Sequence, residues 1–275
     1  ITMHQSFHGR TLGMITATGQ PRYQEGFGPL LPGFRYAEFG NLESVQDQLN
    51  EKTCAILVEP IQGEGGVRFA APEFFKGLRQ LCDDTKVLLI FDEVQVGMGR
   101  TGKFLAHEHY GITPDIATMA KALAGGLPIG ALLATDAVAR AFSPGDHAAT
   151  FGGNPLVTAV GCEVVKTCFR EKLLQNAVAS GRYFLKRLHS LQEKFDWIQE
   201  VRGLGLIMAM ELDQLARPLV LKCLEAGLLV SVVKEDTIRI LPPLNVKRRE
   251  IDEAMTILEG VFQQAGARQA GLRQA

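Results

Sequence analysis

The chain has little of what marks a membrane, secreted or nucleic-acid-binding protein. Its 29 Lys and Arg balance 30 Asp and Glu, for a formal net charge of −1. No surplus of one sign remains to hold a polyanion, so nucleic acid and acidic membrane surfaces drop out as partners. The one short basic cluster, Lys247-Arg248-Arg249, opens a charged helical pattern and reads as a solvated face. No apolar run approaches the roughly 20 residues of a membrane helix, and no signal peptide is visible. Cysteine is sparse. Cys54, Cys82, Cys162, Cys168 and Cys223 are odd in number and lack C-x-x-C spacing, which argues against a disulfide framework and for a reduced, cytoplasmic protein. Repeats are absent, and low complexity is confined to a polar Gly/Ala/Gln/Arg tail after Gln264, expected to fray. An initiating Met is also missing. The opening Ile1-Thr2-Met3-His4-Gln5-Ser6 reads as the middle of a strand, so the protein is expected to continue upstream of this chain.

What is present is a core. Hydrophobic residues make up 46% of 275 positions, enough for one large or two modest domains. Cys54-Ala55-Ile56-Leu57-Val58 is a continuous apolar run, the pattern of a strand covered on both faces. Glu59-Pro60 stops it, and Pro72 opens a helical pattern through Cys82. Further strand patterns cover Val87 to Phe91, Asp115 to Met119 and Ile129 to Ala134. This alternation predicts an α/β sheet with parallel connections. Long helical patterns run from Pro155 to Arg170 and on through Phe195. Strand patterns at Trp197–Val201, Leu206–Leu212, Leu228–Val233 and Thr237–Leu241, with helices at Arg217–Ala226 and Arg249–Gln264, then predict a smaller α+β domain. The boundary falls in a connecting helix, giving a large domain over 1–165 and a small one over 166–275.

Ligands of such sheets collect beyond the carboxyl ends of the strands. Asp92 lies at such an end, and Lys121 follows the next strand pattern in Met119-Ala120-Lys121-Ala122-Leu123-Ala124-Gly125-Gly126. A carboxylate at a buried strand end and a lysine in a small, glycine-rich turn are what pyridoxal phosphate needs. The lysine forms a Schiff base with its aldehyde, and the carboxylate keeps its pyridine nitrogen protonated. Other motifs are weaker. Gly97-Met98-Gly99-Arg100-Thr101-Gly102 matches G-x-G-x-x-G and, through Lys103, nearly matches a P-loop. Phe104 stands where a P-loop needs Ser or Thr, and a dinucleotide fingerprint must follow its strand directly and open a long helix. The segment reads instead as a tight loop. His107-Glu108-His109 lacks a third ligand and reads as surface helix; His4, His147 and His189 read likewise, and no metal is expected.

Together the motifs carry more. They are Ser6-Phe7-His8-Gly9-Arg10-Thr11; Glu59-Pro60-Ile61-Gln62-Gly63-Glu64-Gly65-Gly66; Phe91-Asp92-Glu93-Val94-Gln95-Val96 through Gly102; Pro114-Asp115; Lys121 with its turn; Thr150-Phe151-Gly152-Gly153-Asn154-Pro155; Arg202-Gly203-Leu204-Gly205; and Arg239-Ile240-Leu241-Pro242-Pro243. In this order, and with the 29-residue step from Asp92 to Lys121, the chain resembles the class III (fold type I) aminotransferases, in particular the acetylornithine and ornithine aminotransferase branch. The resemblance spans essentially the whole chain. It implies the fold type I architecture, with a mainly parallel large domain incomplete at its N-terminus and a smaller α+β C-terminal domain.

The resemblance also implies roles. Lys121 carries pyridoxal 5'-phosphate and then moves the proton, and Asp92 pairs with the pyridinium nitrogen. Phe7 stacks on one ring face, Val94 presses on the other, and Gln95 bonds the ring's phenolic oxygen. Thr150 reaches the phosphate of a partner subunit, which makes the site a property of a homodimer. Arg239 holds the α-carboxylate of glutamate through a two-pronged bond. Glu64 pairs with Arg239 when the amino donor has no carboxylate there, and Arg10 binds a second carboxylate. Glu59 is a supporting partner of the site. The family's Ser/Gly-Ala-rich phosphate turn, which lies upstream of the Phe7 segment, is not among these residues. The activity implied is transfer of the ω-amino group of N-acetylornithine, or a related donor, to 2-oxoglutarate, in arginine biosynthesis. Ornithine, succinylornithine and 4-aminobutyrate remain as donors. An aminomutase, a non-catalytic fragment and a nucleotide-binding protein remain as rivals.

Overall fold

The computed structural model describes the backbone of residues 1–272 and the side chains of residues 1–266. The chain forms two compact units. One comprises Ile1–Gly99 and Lys103–Glu171; the other comprises Arg100–Gly102 and the residues from Lys172 onward. No helix among the described residues is long and apolar enough to cross a membrane.

The first unit opens with β1 (Thr2–Met3), α1 (Leu12–Ala17), α2 (Pro21–Gln24), β2 (Tyr36–Ala37) and α3 (Leu42–Gln48). β1 pairs in parallel with β2. β3 (Ala55–Val58), β4 (Leu88–Asp92), β5 (Ile116–Met119) and β6 (Ala131–Ala134) then make a four-stranded sheet in that order. The right length of chain separates β3 from β4, because α4 (Pro72–Thr85) crosses between them. Pro72 starts α4, where its missing N–H costs nothing, and Phe74, Phe75, Leu78 and Cys82 form its buried stripe. These side chains pack with Ile56, Val58, Leu89 and Phe91 into one core. Within it Phe75 stacks on Tyr110 at a ring separation of 4.0 Å, and the Tyr110 hydroxyl donates to Pro60 O at 2.9 Å.

Two expectations need correction. β3 and β4 alternate buried with half-buried residues, so one face of the sheet is fully covered and the other only partly. β6 is antiparallel to β5, with Met119 opposite Ala131. The eleven residues 120–130 between them are short for a parallel crossover, which takes about a dozen or more. The parallel part is β3-β4-β5, in register at Val58↔Phe91 and Asp92↔Thr118. Its carboxyl ends therefore align, and they place Glu59, Asp92 and the turn after Met119 along one edge. α5 (Asp136–Ala139) and α6 (Pro155–Arg170) complete the unit. The Asn154 side chain caps α6 by accepting from Leu156 N and Val157 N.

The second unit contains α7 (Leu173–Gln192), β7 (Ile198–Leu204), β8 (Ile207–Leu212), α8 (Arg217–Glu225), β9 (Ser231–Val233), β10 (Thr237–Ile240) and α9 (Arg248–Leu272). Its sheet is antiparallel, in the order β7-β8-β10-β9. The strand expected over Leu228–Val233 is confined to Ser231–Val233. The tail expected to fray after Gln264 is helical to Leu272, and residues 273–275 lie outside the described residues. The core gathers Phe184, Leu188, Met208, Met210, Ile238 and Phe262. Gly181 of α7 is there because a Cβ would stand 1.9 Å from Gly205 O. Arg202 of the Arg202-Gly203-Leu204-Gly205 motif is buried on β7 and paired with Glu200 and Glu211, so it ties strands together.

Candidate active site

The aligned strand ends build the site. Asp92 closes β4 and is 8% exposed. Its Oδ2 lies 2.9 Å from His8 Nδ1. Its Oδ1 accepts from Val94 N at 3.1 Å and from the Thr118 hydroxyl at 3.2 Å. The His8 side chain is fully buried, and its Nε2 has no partner among the described residues. Because the carboxylate can only accept, Nδ1 is the donor in this contact. Asp92 is thus held from three sides, by the Phe7 loop, by its own turn and by β5.

Lys121 begins a 3-10 turn, Lys121–Ala124, directly after β5. Its φ is +48°, a left-handed conformation that costs a non-glycine residue about 1–3 kcal/mol and clusters at functional sites. Glu59, directly after β3, is 4% exposed. Burial, and after it the Asp92 charge, push its carboxyl up to about 8, while the Lys121 charge opposes this. Glu59, Asp92 and Lys121 therefore share one electrostatic neighbourhood. Glu59 Oε2 accepts from Phe7 N at 3.0 Å and Oε1 from Gly63 N at 3.2 Å.

The remaining expected residues fall in different places. The Phe7 ring meets Tyr23 edge-on at 5.1 Å, and the Arg10 guanidinium lies over both rings. Gln95 lies against Gly63, where a Cβ would stand 2.0 Å from its Oε1. Glu64 is half-buried in the turn that follows. Thr150 is exposed in the stretch before α6, and no hydrogen bond among the described residues joins it to Glu59, Asp92 or His8. Arg239 belongs to the second unit, on β10, where its Nε donates to Ser231 Oγ at 3.3 Å.

Three neighbours of Asp92 escaped the sequence reading. His8 stood between two residues that drew attention, and only the fold turns it onto Asp92. Thr118 looked like an ordinary strand residue. Glu93 is buried, and its carboxylate accepts from Ala106 N and His107 N, each at 2.8 Å. The surface reading of residues 107–109 holds for Glu108 and His109, which are exposed, and fails for His107, which is partly buried. They form the 3-10 turn Ala106–His109, and the His107 ring lies 3.1 Å from Glu93. No metal-ligating cluster exists among the described residues. Gly97 to Gly102 runs in turns and opens no helix, which removes the structural context a nucleotide fingerprint requires.

A buried, three-way-held carboxylate and an amine at neighbouring strand ends can hold a protonated aromatic nitrogen and an aldehyde. The comparisons agree with that chemistry. The family model described as "Aminotransferase class-III" matches residues 1–262. The acetylornithine aminotransferase of Caldanaerobacter subterraneus subsp. tengcongensis is 48% identical over 263 residues, covering 95% of this chain and 67% of the relative. That of Methanocaldococcus jannaschii is 47% identical over 264 residues, covering 95% and 66%. Among solved structures, the ornithine aminotransferase from Toxoplasma gondii superposes with a TM-score of 0.92 at 34% identity, covering 97% of this chain and 65% of that one. A second structure of that enzyme reveals partial occupancy of pyridoxal phosphate at its active site. The chain thus spans about two-thirds of the length of the relatives it matches.

Proposed function

Because the chain belongs to the class III aminotransferases, we propose that the protein moves the ω-amino group of N-acetylornithine to 2-oxoglutarate, using pyridoxal phosphate. The observation that carries this is the pairing of buried, His8-backed Asp92 at the end of β4 with Lys121 just beyond β5. The fold belongs with the fold type I pyridoxal phosphate enzymes, as the solved neighbours do. Relatives named for N-acetylornithine at 44–48% identity favour that donor. Ornithine is the second reading, supported by neighbours at 34–39%.

Bound, the cofactor supplies an aldehyde to carry the amino group and a ring to accept electrons from the adjacent carbon. Lys121 Nζ anchors it, then takes the proton from the carbon bearing the substrate nitrogen. Asp92 Oδ2 and Oδ1 present fixed negative charge to the ring nitrogen, a charge-assisted bond that strengthens away from water. His8 and Thr118 keep that carboxylate from turning. Phe7 and Val94 close the two ring faces, and Gln95 bonds the phenolic oxygen. Arg10 and Arg239 bind substrate carboxylates, since a guanidinium fork matches a carboxylate. Glu64 sets which donors are accepted. Thr150 serves the phosphate of a partner subunit in a homodimer, and the enzyme works in the cytoplasm.

The test is an assay of the full-length protein for glutamate formation from 2-oxoglutarate with N-acetylornithine, ornithine, succinylornithine or 4-aminobutyrate. N-acetylornithine should give the highest kcat/KM. No glutamate from any of the four would overturn the reading.

A further inference from the structure

We infer that Glu59 is a positioning residue that locks the loop carrying Phe7 to the turn carrying Glu64. One buried side chain then sets both the face offered to the cofactor ring and the carboxylate that sorts donors. This deepens the proposed function and rests on it.

The geometry is specific. Glu59 Oε2 accepts from Phe7 N, 52 residues away, and Oε1 accepts from Gly63 N, four residues away. Each carboxylate oxygen thus takes one backbone donor, and each donor comes from a different loop. Gly63 precedes Glu64 and lies under the Gln95 side chain, so fixing Gly63 also fixes what Gln95 packs on. The same two loops are joined once more, by Gln62 Nε2 donating to His4 O at 2.8 Å. Glu59 also feels the charges of Asp92 and Lys121.

The chemistry of the side chain explains why a carboxylate is retained. Two inward-pointing N–H groups need two acceptors and no donor. A carboxyl has two oxygens that can each accept, ionised or protonated, whereas Gln has one acceptor oxygen and would turn its NH2 against an N–H. An apolar residue would leave two buried donors unpaired, at about 1–3 kcal/mol each. Burial beside Asp92 raises its carboxyl to about 8. A buried acid held against a like charge is a poor stabiliser of a fold. It makes sense where the loops it joins must be exact.

The experiment compares wild-type full-length protein with Glu59→Gln and Glu59→Asp. It reads pyridoxal phosphate affinity, the visible circular dichroism of the bound cofactor, and the ratio of kcat/KM for N-acetylornithine and glutamate. Glu59→Gln should weaken affinity by about tenfold, the worth of a lost buried hydrogen bond. It should also alter the dichroic band and shift the donor ratio, while the cofactor-free protein melts no lower at pH 7. If that variant does not fold, Glu59→Asp, which keeps both oxygens but shortens the reach, should show the same changes. Affinity within about twofold of wild type, with an unchanged band, would overturn the inference, as would a fall in melting temperature alone. A wild-type protein that takes up no cofactor overturns the underlying function; equal binding by wild type and variant overturns this inference only.

Discussion

His8 Nδ1 and Asp92 Oδ2 stand 2.9 Å apart, with the histidine side chain wholly buried. The histidine supplies a donor that a ring nitrogen bound at Asp92 would not displace, because Asp92 has two oxygens. His8→Leu leaves Asp92 with Val94 N and the Thr118 hydroxyl only. It should lower pyridoxal phosphate affinity by about tenfold and kcat/KM by about tenfold or more. Spectrophotometric titration and steady-state kinetics check this; His8→Asn, which can still donate, should recover part of both.

Glu59 makes stability depend on pH. Its carboxyl is raised in the folded protein, so its contribution is fully present below its unfolded value, near 4.5, and is lost as pH rises through about 8. The cofactor-free protein should therefore lose stability across roughly pH 5 to 8, by on the order of a few kcal/mol at most. Glu59→Gln should flatten the slope in that window. Denaturant midpoints at half-unit steps test this, and parallel slopes for the two proteins would contradict it.

Glu64, half-buried in the turn that Glu59 holds, is assigned the sorting of donors. Glu64→Ala should shift preference from N-acetylornithine towards α-amino acids by about tenfold in relative kcat/KM, the scale of one lost charge-assisted bond. An unchanged ratio removes that role.

The main frame was legible in the sequence because its signals are local. Val87 to Phe91 read as a strand, Pro72 marked a helix start, and Asn154-Pro155 marked another. Asp92 and Lys121 stood out because strand ends are where ligands gather. What stayed hidden was non-local. The direction of β6 depended on connection length, since its residues read alike either way round. His8 and Glu59 acquire their partners across 84 and 52 residues, and no periodicity reports that. Glu93 entered only as one member of the Phe91 to Gly102 motif, yet it caps the Ala106–His109 turn from 13 residues away. The 3-10 turn at Lys121, with its left-handed backbone, also lacked a propensity signal, because lysine seldom adopts it.

The central claim is that Lys121 anchors the cofactor beside Asp92. Its most direct test is to add pyridoxal phosphate to the full-length protein, reduce with borohydride and map the labelled peptide by mass. The account predicts a single stable label on Lys121, absent from Lys121→Ala, which should also lose transamination by at least about a thousandfold. A label on another lysine, or undiminished turnover in Lys121→Ala, would contradict it.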